Sequence, residues 1–288
     1  MLGFLRISNI PTGTNQVALS FNLDISTRDR IFPPIIMTDI IQKQSTRRID
    51  FSRPLTFLIH PGKVFREMVS EARASWLTPM LILSLTAILA VVVAGYLKSQ
   101  AAMLGEVELP PDWQYWTPDM QNNYMQAQQA TQGPAFMYVI PMVGSLLGLW
   151  LGWLVMAGLM HLGSTLLGGR GTMQGALNVV AFASLPFALR DLLRVVYMLA
   201  SSHTITSPGL SGFAANPGFI AELLQYTDLF LIWSILLLVI GFSVSDGLTR
   251  GKAFMNVIVV MLIILVAQAG LGMLGSSLGG SAIQRPFF

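Results

Sequence analysis

Ionisable side chains inside an apolar run are where chemistry is sought first. One stretch of this 288-residue chain holds three of them, Arg190, Asp191 and Arg194. On a helix the i, i+3 and i, i+4 spacings bring all three into one sector. At membrane depth such residues mark ion pathways, proton relays or anion sites. An internal Asp191–Arg194 pair would lower the insertion cost and leave one guanidinium uncompensated. Each central charge costs about 2.5–3.5 kcal/mol to insert, and less where the side chain snorkels outward. Counting ~1.5 Å per residue from Thr172 puts Arg190 about 27 Å up, close to the outer boundary. Snorkelling is therefore the plainest reading; an anion or lipid-headgroup site is the second, and a proton or ion relay the third.

The other chemistry-bearing residues form no set. The histidines are His60, His161 and His203. The first two are expected on the cytoplasmic side and the last outside, so His161 and His203 share no haem or metal. His161 alone could ligate a haem or pigment axially, against the simpler reading of an interfacial polar residue. Gly168-Gly169-Arg170-Gly171-Thr172 precedes a helix, a geometry that can hold phosphate. It lacks the lysine of a phosphate-binding loop and follows no strand, so it reads as a tight turn with Thr172 as N-cap. There is no HExxH, GxSxG or pair of intramembrane aspartates. With no cysteine there is no thiol nucleophile and no Cys-ligated metal. No catalytic set is found, no cofactor is expected, and the chain is read as a non-enzyme.

The elements that carry these residues follow from composition. Hydrophobic residues make up 53% of the chain and charged ones 11%, with a mean hydropathy of +0.62. Soluble domains carry roughly 25% charged residues, so the apolar blocks must face lipid. A crossing needs about 20 apolar residues, and the expected fold is an all-α bundle of five membrane spans near 77–97, 135–167, 172–201, 228–245 and 252–274. The third is the least regular, because it holds Pro186 and the three charges. The positive-inside rule orients the bundle. With a cytoplasmic N-terminus, 13 of the 17 basic residues fall inside and two outside, and six acids lie outside. The expected site is the cytoplasmic (inner) membrane, with the C-terminus outside. A basic flank leading into a span reads as a topology signal, not as a nucleic-acid patch.

Outside the spans, residues 1–50 read as a cytoplasmic arm and 277–288 as an outer tail, with no cleavable signal expected. Residues 51–76 form the lead-in, in which Pro61–Arg73 is amphipathic. Val64, Phe65, Met68, Val69 and Ala72 take one face, and Lys63, Arg66, Glu67, Ser70, Glu71 and Arg73 the other. An interfacial helix with its apolar stripe in lipid is expected, anchored by Trp76. In the first outer loop, Trp113, Tyr115 and Trp116 are a candidate outer contact surface or an interfacial aromatic belt. Thr117-Pro118-Asp119 then reads as the start of a helix over 120–131. Gly144, Gly148 and Gly152 form a small-residue ridge that favours close helix approach, within the chain or with a second protomer.

His60-Pro61-Gly62-Lys63-Val64-Phe65-Arg66, then Trp76-Leu77-Thr78-Pro79, lead into the first span. Gly169-Arg170-Gly171-Thr172 and Ala181-Phe182-Ala183-Ser184-Leu185-Pro186 mark the third, and Asp228-Leu229-Phe230, Trp233, Gly241 and Lys252-Ala253 the last two. In this order and spacing, over about residues 57–274, they resemble the Yip family (the Ypt/Rab-interacting-protein domain) in its prokaryotic branch. The resemblance implies a five-helix bundle with a cytoplasmic N-terminus. It associates eukaryotic members with Rab-type GTPases, vesicle trafficking and membrane shaping, and implies no established activity for prokaryotic ones. It carries over no site residue. The sequence is thus read as a scaffold or accessory subunit, with the bilayer and a protein partner or second copy as its contacts. A transporter using Arg190, Asp191 and Arg194, and a haem- or pigment-bearing subunit, are the alternatives.

Overall fold

The computed structural model describes residues 52–71, 73–104, 109, 113–214, 216 and 218–279, and every regular element among them is helical. The expected arm over 1–50 and most of the expected tail over 277–288 lie outside the described residues. The helices are α1 (Ser52–Ile59), α2 (Pro61–Glu71), α3 (Leu77–Met103), α4 (Pro118–Thr131), α5 (Ile140–Leu166) and α6 (Met173–Ala183). They continue as α7 (Leu185–Ser201), α8 (Phe219–Gln225), α9 (Leu229–Ser245) and α10 (Arg250–Gly279). Local chemistry sets their starts. The Thr117 hydroxyl caps α4 by accepting from Met120 N, Thr172 Oγ1 caps α6 by accepting from Gly175 N at 3.1 Å, and Asp228 Oδ1 caps α9 by accepting from Leu231 N at 2.8 Å. Each occupies one of the four orphan donors of a helix N-terminus.

Among the described residues, three stretches are long and apolar enough to cross a membrane: Leu77–Met103, Ala135–Leu166 and Arg250–Leu274. Helices α8 and α9, bent by 67° to each other, add a fourth crossing if they form one span. Residues 172–201, expected as the least regular span with Pro186 inside it, are two helices that meet at Ser184. Pro186 falls in the first turn of α7, where its missing N–H breaks no bond. At ~1.5 Å per residue α6 is about 16 Å long and α7 about 25 Å, so neither alone covers the ~30 Å core.

The lead-in also differs from expectation. α2 is amphipathic, but Val64, Phe65 and Met68 of its apolar stripe face the protein rather than lipid, while Val69 stays exposed. Val64 and Phe65 are fully buried and Met68 nearly so, packed against α9 and α6. Phe57 of α1 stacks edge-on with Phe65 and Phe182, at 5.0 and 5.4 Å between ring centroids. Edge-to-face pairs of this kind add to the gain from burying the rings. Lys63, Arg66 and Glu67 keep the outer face. Trp76 packs with Trp150 and Trp153 of α5, so its partners are rings of the bundle.

The close approach of α2 to α9 depends on Gly241. A Cβ there would run into Val179 and stand 2.9 Å from Phe65 Cζ, and both neighbours are buried. Alanine gains about 1 kcal/mol in helix propensity, but overpacking a fixed core costs about 1–3 kcal/mol and should prevail. Gly241→Ala is expected to lower the thermal midpoint in detergent, read by tryptophan fluorescence. Gly158→Ala, where a Cβ meets nothing within 4 Å, should not.

Candidate functional site

The break at Ser184 re-aims the chain, so that α7 carries its charges toward the first turn of α9. Arg190 Nε donates to Asp191 Oδ1 at 3.2 Å, and Arg190 Nη1 stands 3.5 Å from Asp228 Oδ2. Arg194 lies 3.9 Å from Asp191 Oδ1 and 4.0 Å from Asp228 Oδ2. The Arg190 guanidinium also sits 4.8 Å from the Phe187 ring centroid, a cation–π distance. All three expected residues therefore come together, and a fourth joins them. Asp228 supplies a second carboxylate, so no guanidinium is left uncompensated as the sequence suggested. Its signal was an aspartate directly before an apolar run: the N-cap role fixes Oδ1 on the helix and leaves Oδ2 for the arginines.

Arg190, Asp191 and Arg194 form one wall of a cavity of about 630 Å³ between α3, α5, α7 and α10. Met80, Leu83, Leu149, Trp153, Met261 and Leu265 make its apolar body. Lys98 at the end of α3, Gln225 and Gln268 add polar lining. Arg190 is only 8% exposed, so its charge acts at low dielectric, where unmet donors are costly.

Two further buried acids were not singled out by sequence. Asp246, 4% exposed, accepts from Ser164 Oγ, and its backbone carbonyl accepts from Arg170 N at 3.0 Å. The glycine-rich turn is there for this approach: a Cβ on Gly171 would overlap the Asp246 carboxylate. Lys252 Nζ closes the same end by donating to Leu167 O at 2.8 Å. Glu222 of α8 is 3% exposed, accepts from Gln225 Nε2, and lies against Gly272 of α10. In both, the acid is buried against a glycine on the facing segment that makes room for it.

The remaining candidates disperse. Trp113 and Trp116 pack with Tyr124 of α4 at centroid distances of 5.5 and 5.6 Å, and only Tyr115, 81% exposed, projects freely. A Cβ on Gly144 would meet nothing within 4 Å, while Gly152 reaches the cavity wall. Every fourth position drifts about 40° around a helix of 3.6 residues per turn, so the ridge winds from the outer face of α5 toward the cavity. His161, near the end of α5, buries Nδ1 with no hydrogen-bond partner among the described residues. No group of three or more His, Asp or Glu side chains suited to a metal occurs among them.

Comparison with curated proteins and with solved structures returns no match. The Yip1 domain family model matches residues 55–271, a range that takes in the lead-in helices, the broken segment at Ser184, the charged quartet and most of α10. On that match over most of its length, this all-helical membrane protein belongs to the Yip1 domain family.

Proposed function

We propose that the chain is a non-enzymatic scaffold or accessory subunit of the cytoplasmic membrane, a five-pass bundle with its N-terminus inside. Five crossings are supported by where the ends of residues 172–201 are tied. One end, at Arg170 and Gly171, meets Asp246 at the close of α9; the other, at Arg190 and Arg194, meets Asp228 at its start. A segment bound to both ends of α9 covers the same depth as α9, and in the opposite direction. Odd parity follows if α9 crosses.

One observation carries the subunit reading. In the span that includes α5, 11% of the apolar window is buried in the protein, against 39% for α3 and 22% for α10. Its free face holds Leu147, Leu151, Leu154 and Val155 beside Gly144. Helices associate in lipid by close packing at small residues, so this face suits a partner helix or a second copy. The chain has no cysteine, and a single Leu147→Cys or Leu151→Cys gives one defined cross-linking site. Short bis-maleimide treatment of native membranes is expected to trap a dimer or one discrete heterologous adduct. Adding Gly148→Ile should abolish it. Monomer alone at every α5 position would end the reading.

A further inference from the structure

The cavity beside the charged quartet follows the length of a helix. Its lining on α3 is Met80, Leu83, Ala87, Ala90, Ala94 and Lys98, one side chain per turn. At ~1.5 Å per residue that stripe runs about 27 Å, and the three alanines keep it low. Leu149, Trp153 and Met156 of α5 and Met261 and Leu265 of α10 complete an apolar channel. About 630 Å³ lies within the ~300–1,000 Å³ typical of ligand sites. Spread along the stripe, it suits one extended hydrocarbon chain better than a rounded solute.

Polar groups meet this channel at one depth. Arg190, Asp191 and Arg194 line it from α7, between Ala188, clustered with Leu83, and Val195, clustered with Val93. Ser145 lines it from α5, between Trp150, bonded to Ser84, and Tyr138, against Gly95. Both intervals fall on the reach of α3 around Ala87 and Ala90. Ser145 is more than nine-tenths buried, and its hydroxyl makes no hydrogen bond among the described residues. A guanidinium carries five N–H donors. Arg190, as deeply buried, makes one hydrogen bond through Nε, and Arg194 makes none; its carboxylate neighbours stand at 3.9 and 4.0 Å. Asp191 Oδ1 takes the Arg190 bond and Oδ2 takes none among the described residues. Donors and an acceptor are thus open together.

Charge selects the ligand. Two guanidiniums face two carboxylates, Asp191 on the lining and Asp228 beyond it, so the quartet is neutral. Lys98, farther along α3, has a partner of its own. A further charge of either sign would stand uncompensated at low dielectric, whereas hydroxyl and carbonyl oxygens add none. We propose that this cavity binds one uncharged acylglycerol lipid. Its ester carbonyl accepts from the open guanidinium and Ser145 donors, a free hydroxyl donates to Asp191 Oδ2, and an acyl chain lies along Met80, Leu149 and Met261. The site does not depend on a partner at the outer face of α5.

The test uses the full chain, delipidated in a zwitterionic detergent and titrated with mono-oleoylglycerol, its phosphate ester, methyl oleate or glycerol, with bound molecules counted by native mass spectrometry. One mono-oleoylglycerol per chain is expected, held at least about tenfold more tightly than the phosphate ester. Asp191→Asn, which leaves one positive charge in excess, is expected to reverse that order. Ala87→Phe, which adds bulk to the channel wall and leaves the charges intact, should weaken mono-oleoylglycerol binding about tenfold, even if the aspartate variant fails to fold. The phosphate ester held as tightly as mono-oleoylglycerol by the parent chain, absence of a saturable site, or unchanged binding in Ala87→Phe overturns the proposal. Methyl oleate binding as tightly overturns the hydroxyl contact with Asp191, and glycerol binding as tightly overturns the acyl chain.

Discussion

Asp228→Asn is expected to destabilise the folded chain by about 3–5 kcal/mol, the usual cost of removing one partner from a buried ion-pair set. Asparagine keeps the N-cap of α9, because its side-chain oxygen still accepts from Leu231 N. The loss then reports on charge alone. Arg190 and Arg194, with side chains 10% and 19% exposed, would share only Asp191. Thermal unfolding in detergent should show the drop. The double variant Asp228→Asn with Arg194→Gln restores one cation against one anion, so its cost should fall well below the sum of the single ones. Additive costs would mean that the quartet is not a unit.

The second large effect concerns the approach to α3. Asn178 of α6, 5% exposed, holds three backbone groups of the lead-in. Its Oδ1 accepts from Ser75 N at 2.9 Å and Trp76 N at 3.1 Å, and its Nδ2 donates to Arg73 O at 2.7 Å. Asn178→Leu keeps the branched heavy-atom skeleton and orphans all three. Each buried unmet group costs about 1–3 kcal/mol. Arg73 and Ala74 are exposed, so water recovers part of this, and about 2–4 kcal/mol is expected overall. Limited trypsin digestion should show faster cleavage after Arg73. A variant as resistant as the parent would contradict the role assigned to Asn178.

What sequence alone could read follows from range. The three long spans, the caps at Thr117 and Thr172, and the clustering of Arg190, Asp191 and Arg194 depend on local sequence, and composition and spacing display them. Asp228 was visible as an acid before an apolar run, but its bond to α7 depends on how two helices cross. Asn178 was a lone amide in an apolar segment, with targets about 100 residues earlier in the chain. The lead-in shows the same limit from the other side. Its amphipathic pattern is real, yet an apolar stripe carries no mark saying whether lipid or protein will cover it. Likewise Pro186 announced a break, and only the packing of α7 on α3 shows which way the chain leaves it. Regular spacing did not single out the glycines that pack tightly within the chain. The regular row on α5 stays open at Gly144, whereas isolated Gly171 and Gly241 make the tight contacts.

The family and the helical membrane fold stand on the residues matched; the direction of each crossing is the central claim built on them. Single cysteines placed in this cysteine-free chain and probed with a membrane-impermeant maleimide test it directly. In intact cells, Tyr115→Cys and His203→Cys should label from outside, and Arg250→Cys only after permeabilisation. Labelling of Arg250→Cys in intact cells, with His203→Cys protected, would mean that residues 172–201 do not cross, and would contradict the five-pass account.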